Sequence, residues 1–187
     1  MQAIWDTLAR LGFDGGRVLE PGCGSGNFIG LAPDGAAMTG VELDPVTAGI
    51  AAALYPDAQI RAESFAGTRL PSECFDAVAG NVPFASVKLA DPVHNPGRRL
   101  SMHDHFIVKS LGLTRPGGMV ALLTSRYTMD SRNPQARRQI ADMADLVAAV
   151  RLPSGAHRRA AGTEVVTDLL ILRRREPGRS PAADASW

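Results

Sequence analysis

Two short runs in this chain hold residue types that could do chemistry. The sharper is Asn81-Val82-Pro83-Phe84, closing an apolar stretch that opens with Phe75-Asp76. An amino group on a heteroaromatic ring is a poor nucleophile, because its lone pair is delocalised into the ring. Two hydrogen-bond acceptors on its two protons push it toward tetrahedral geometry. The Asn81 amide oxygen can supply one acceptor, and the Val82 carbonyl, held by Pro83, the other. Phe84 offers a face on which a planar ring stacks. Such catalysis is positioning plus acceptors aimed at developing positive charge, and it requires no metal.

The second run, Val18-Leu19-Glu20-Pro21-Gly22-Cys23-Gly24-Ser25-Gly26-Asn27-Phe28, reads as a strand, an acid and a tight glycine loop. Glycines let the backbone approach a ligand and take positive φ. A dinucleotide loop reads G-x-G-x-x-G and holds a pyrophosphate. Here the third glycine, Gly26, comes one residue early. Glu20, ahead of the loop, repels a phosphate but suits an ammonium reached through water. The loop therefore favours a zwitterionic amino acid, such as the methionine part of S-adenosyl-L-methionine. Glu42, twenty residues past Gly22, ends a second strand, where a carboxylate can accept both ribose hydroxyls. Glu63 follows a third strand, where it either reaches an adenine amino group or is a solvated acid. Phe65 either packs on the adenine or joins the core.

Alternating strand-like and helix-like segments must position these runs. Helical spacing is expected over 4–11, a short helix from Phe28 cut by Pro33, and a helix from Pro45 to about Tyr55 capped by Asp44. Ser101 to Asp104 fits a loose capping box for a helix to about Leu111, and 134–144 reads as another. Strands are expected at 17–20, 38–43, 59–62, 77–80, 119–124, 146–152 and 166–172, with a polar loop over 85–100 and a turn at Pro116-Gly117-Gly118. The pattern implies an α/β, doubly wound, mostly parallel sheet of seven strands, one of them antiparallel near the C-terminal edge. In such sheets ligands sit at the carboxyl ends of the strands, where both runs lie. Residues 1–175 read as one catalytic domain and 176–187 as a disordered tail.

The 187 residues allow a sizeable core, and no apolar run or leader-like N-terminus points to a membrane or to export. Two cysteines, Cys23 and Cys74, are too few for a disulfide framework or a zinc site, which fits a cytoplasmic protein. His103-Asp104-His105 invites a metal reading, but neighbours on a helix do not share a face, so no metal is expected. Net charge is +1, spread unevenly: residues 1–93 hold 5 Lys/Arg against 11 Asp/Glu, and 94–187 hold 15 against 8. The basic half suggests a polyanionic partner or a solvated basic surface. Arg137, Arg138, Arg158, Arg159 and Arg173–Arg175 are the candidates for phosphate contact, with the Arg158–Arg159 loop nearest the catalytic edge.

With these residues in hand, the chain resembles the gamma-order N6-adenine DNA methyltransferases, in which the cofactor motif precedes the catalytic motif. It looks most like the methylase part of large bacterial and phage methylase–helicase proteins. The matching runs are 18–28, 40–44, 75–84, 103–111, 115–125, 150–153 and 161–168. The resemblance implies a Rossmann-like fold using S-adenosyl-L-methionine to methylate the N6 amino group of a flipped-out adenine in DNA. It implies Asn81, Val82, Pro83 and Phe84 as the catalytic run. The cofactor would be held by Glu20, Pro21, Gly22, Cys23, Gly24, Gly26, Phe28, Glu42, Leu43, Glu63, Ser64 and Asn81, although Cys23 alone reads as a space-filling residue. Phe84, His157 and Arg158 would hold the base, His157 standing where relatives have an aromatic residue. Val82 replaces a common proline, an upstream cofactor-covering segment is expected before residue 1, and no recognition domain follows the last strand. A separate target-recognition domain or subunit is therefore an expected partner. RNA-adenine or protein-glutamine methylation, or a non-catalytic, partner-dependent module, are the alternative expectations.

Overall fold

The computed structural model describes residues 1–85, 87–157 and 165–182. Seven strands form one sheet: β1 (Gly16–Pro21), β2 (Ala36–Glu42), β3 (Gln59–Ala62), β4 (Phe75–Asn81), β5 (Thr114–Ser125), β6 (Ala144–Leu152) and β7 (Thr167–Arg174). Their order is β3-β2-β1-β4-β5-β7-β6. The first five pair in parallel, while β7 runs antiparallel to both β5 and β6. The helices are α1 (Gln2–Arg10), α2 (Pro45–Leu54), α3 (Met102–Leu113), the short α4 (Tyr127–Asp130) and α5 (Gln135–Met143). No helix among the described residues is long and apolar enough to cross a membrane.

The central strands are covered on both faces, and their side chains alternate between two cores. Leu19, Val78, Val120, Leu122, Leu170 and Leu172 meet α3 and α5 through Ile107, Leu111 and Ile140. Val18, Ala77, Ala79, Met119, Ala121 and Ile171 meet α1 through Ile4, Trp5 and Leu8. A two-residue period read on two buried faces explains why these strands look uniformly apolar in sequence.

The expected elements are present with shifted ends. The helix expected from Phe28 is a single 3-10 turn, Ile29–Leu31. Asp44 caps α2 by accepting from the Thr47 N–H at 2.8 Å. The turn expected at Pro116-Gly117-Gly118 lies inside β5, where the pairing with β4 slips between Phe75 and Ala77; Gly117 takes φ +76° there. The last strand runs through Arg173 and Arg174, because these arginines bond fold carbonyls: Arg173 to Leu11 and Gly117, Arg174 to Met143. Beyond it the Ala182 N–H reaches Asp145.

Candidate active site

Parallel pairing brings the ends of β1, β2 and β4, at Pro21, Glu42 and Asn81, to one edge of the sheet. There the two chemistry-bearing runs meet around a cavity of about 500 Å³. Its wall includes Gly22 from the glycine loop, Glu42 and Leu43 after β2, Glu63 and Ser64 after β3, and Asn81 to Phe84 after β4. Six of the twelve residues expected to hold a cofactor therefore line one space. Sequence reasoning missed Leu89, Met102 and Phe106, which close its apolar side, and left Phe65 open between ligand and core. Phe65 lies in the core and also lines the cavity, packing on Phe106 with ring centroids 4.8 Å apart. The helical spacing of Met102 and Phe106, four apart on α3, was the one available signal for those two. Gly22 takes φ +72°, and a Cβ there would lie 3.4 Å from Pro83, so loop and clamp are packed together.

The other six are not among its lining residues. Gly26 is required for a different reason than ligand approach: a Cβ would meet the Tyr55 ring at 2.6 Å. Cys23 and Phe28 face the core shared with α1, and the Trp5 indole N–H donates to the Phe28 carbonyl at 3.2 Å. Burial, helped by Glu20 and Glu42, pushes the Cys23 thiol up to about 12, so it is no nucleophile. Glu20 is 2% exposed, and its Oε2 has no partner among the described residues. Burial and the nearby Glu42 charge raise its carboxyl to about 8, against an opposing Ile29 N–H.

Glu42 is held in advance. One of its oxygens accepts from the Gly24 N–H and the other from the Asp44 N–H, each at 2.9 Å. A carboxylate fixed this way keeps free lone pairs to receive a diol. Glu63 pairs with the Arg61 guanidinium instead of standing alone in solvent. At the clamp, the Val82 N–H donates to the Leu123 carbonyl at 3.0 Å and its side chain is buried. That anchor fixes the turn while Asn81 and Phe84 remain exposed. His157 closes a 3-10 turn, Ser154–His157, and Arg158 lies outside the described residues, as does Arg159.

The loop 85–100 is tied down by one buried carboxylate that sequence reading did not single out. Asp91 Oδ2 accepts from His94 Nδ1, His105 Nε2 and Lys109 Nζ at 3.2, 3.0 and 3.1 Å. Burial alone would raise the Asp91 carboxyl. Hydrogen bonds from His105, the His94 N–H, Lys109 and the Val93 N–H outweigh it and hold the group far below the usual carboxylate range. Lys109 also donates to the carbonyls of Ala66 and Thr68, and so joins the Phe65 loop to the Leu89 loop.

A second cavity, of about 670 Å³, adjoins the first and shares Phe84 and Ala85 with it; Ser101, His103, Ser125, Arg126 and Tyr127 complete its polar and aromatic lining.

This topology is the fold of S-adenosylmethionine-dependent methyltransferases. The N-methyltransferase NodS of Bradyrhizobium japonicum superposes with a TM-score of 0.64 at 16% identity, over 94% of this chain and 94% of that one. The methyltransferase subunit of a type I restriction-modification system from Streptococcus thermophilus superposes at 0.74 and 16% identity, over 94% of this chain and 44% of the subunit. In sequence, the chain is 28% identical over 177 residues to the defense against restriction protein B of Escherichia phage P1. It spans 92% of its own length in that match but 8% of the phage protein's. No protein-family model matches the chain.

Proposed function

We propose that this chain is a methyl-transfer domain acting on the N6 amino group of adenine in DNA. The observation that carries this reading is the meeting of Gly22, Glu42 and the Asn81–Phe84 run around one cavity, although some sixty residues separate loop and clamp. The cavity fits S-adenosyl-L-methionine: Glu42 suits its ribose hydroxyls, Phe65, Leu89 and Phe106 its planar base, and the buried, unpartnered Glu20 oxygen beneath the loop a cationic end. When bound, that cofactor supplies a methyl group on a positively charged sulfur.

The protein's part is geometric. Asn81 Oδ1 and the Val82 carbonyl accept the two protons of the target amino group, and Phe84 holds the ring plane. Held this way, the nitrogen would take the methyl that the cofactor, held at Glu42, Phe65 and Phe106, would supply, and would release one proton to solvent. A base must leave the duplex first, which costs a few kcal/mol of unstacking. The likeness to restriction-modification subunits favours DNA over a peptide.

The test is transfer of tritiated methyl to DNA, RNA and a glutamine-containing peptide. Labelling of N6-methyladenine in DNA is expected, and labelling of the peptide alone would overturn the reading. The Asn81→Ala variant is expected to lose about 10²–10³-fold in rate, the range for one preorganised polar contact, with S-adenosylmethionine affinity nearly unchanged.

A second reading follows from length. The chain matches 8% of the phage protein and 44% of the restriction-modification subunit, and on this reading its activity is realised only within a larger assembly. Cofactor binding without turnover would favour it.

A further inference from the structure

We propose that the second cavity is a nucleotide pocket whose recognition groups are Tyr127, Arg126 and His103, with a base stacked between Phe84 and Tyr127 and its phosphate on Arg126. The proposal rests on the methyl-transfer reading above and assigns the acceptor side of that site.

Three observations carry it. First, this 670 Å³ space shares Phe84 and Ala85 with the cofactor-type cavity, so an occupant would meet the same clamp residues. Second, its polar groups suit a nucleotide. The Arg126 guanidinium carbon lies 5.1 Å over the Tyr127 ring, a stacked cation beside an aromatic face that is 58% exposed. Neither side chain serves the core. His103, in the same lining, is buried, and its Nδ1 has no hydrogen-bond partner among the described residues. A buried ring nitrogen left unpaired is costly.

Third, the scaffold beneath the pair is over-fastened for an ordinary surface turn. The Thr128 hydroxyl donates to Asp104 at 3.0 Å and faces Thr124 Oγ1 at 3.3 Å. Arg137 donates to the Thr128 and Ser131 carbonyls. Arg151 grips buried Asp168 with two bonds and reaches Asp130 with a third. Both ends of α4 are thus fixed while its first turn presents Arg126 and Tyr127 outward. Rigid support under exposed aromatic and cationic groups is the arrangement a binding site needs.

The experiment uses the full chain with S-adenosylmethionine and a short adenine-containing oligodeoxynucleotide, single-stranded and duplex. Cofactor affinity is measured separately by calorimetry. Tyr127→Ala is expected to raise KM for the oligonucleotide by about five- to a hundred-fold, the worth of one base stack, with kcat and cofactor affinity little changed. Arg126→Ala is expected to flatten the slope of log K against log salt by about one unit. His103→Phe is expected to lower kcat/KM at least ten-fold with unfolding temperature preserved. If wild type labels DNA and all three variants match it, the proposal falls and the methyl-transfer reading stands. If wild type binds cofactor but labels only peptide, both fall.

Discussion

Glu20 shows how far a single residue type can be read before folding. Its position ahead of a glycine loop suggested an acid near a ligand; the structure shows that this acid is buried, lacks a partner for one oxygen among the described residues, and is raised to about 8. The unfolded carboxyl ionises near 4.5, so between that pH and about 8 the folded state holds the extra proton. Stability therefore falls as pH rises through this window, by about 1.4 kcal/mol per pH unit. Glu20→Gln is expected to melt higher than wild type at pH 8 and nearly the same at pH 4, and to bind a cationic cofactor more weakly; equal melting at pH 8 would remove the buried charge from the account. The Asn81–Phe84 run could be singled out because its residues are adjacent, and the structure places all four on the wall of one cavity. Tyr127 could not, because nothing in Ser125-Arg126-Tyr127 says that Phe84 lines the same cavity.

At the scale of elements, order and type could be read from period and caps, and the ends could not. Asp44-Pro45 and Ser101 announce their helices through their own side chains. The bulged start of β5 and the two extra residues of β7 depend on partners distant in sequence, so local turn chemistry misplaced them. The loop 85–100 is the clearest case. Its prolines and polar residues suggested a solvated connection, yet Asp91 binds it to α3, and Asn95 secures it through the Leu89 and Leu100 carbonyls. Removing the charge strands buried Lys109, a situation that costs about 3–5 kcal/mol in other proteins. Asp91→Asn is accordingly expected to lower stability by a similar amount at neutral pH. The deficit should shrink only as pH falls below the ordinary carboxylate range, where wild-type Asp91 is protonated on unfolding. Chemical denaturation at pH 7 and pH 3 measures both, and equal deficits at the two values would count against an ionised Asp91.

Across the whole molecule, the basic second half is less available than its composition suggests. Arg115, Arg151, Arg174 and Arg175 are engaged with Asp76, Asp168, Glu73 and Asp145, and Arg173 with backbone carbonyls. The Arg173–Arg175 run lies at the opposite edge of the sheet from Asn81, because Arg173 pairs with Met119 at the start of β5 while Thr167 pairs with Ser125 at its end. These arginines bond within the fold, which leaves them less free for phosphate contact. Duplex DNA affinity is therefore expected to fall with salt at a log–log slope of about −2 to −3, against roughly −6 for seven phosphate contacts. Fluorescence anisotropy across a salt series reads the slope, and a value near −6 would return the paired arginines to the DNA.

Phe84, 39% exposed and common to both cavities, has a consequence for how two occupants communicate. A side chain ordered by the first arrival need not be ordered again by the second, so the entropy of fixing that ring is lost once for two binding events. The two affinities are then linked, and by the same factor in either direction. On the proposed reading, whichever molecule entered first would order this ring for the other, and a single aromatic side chain would be the means by which an empty site and a half-filled one differ.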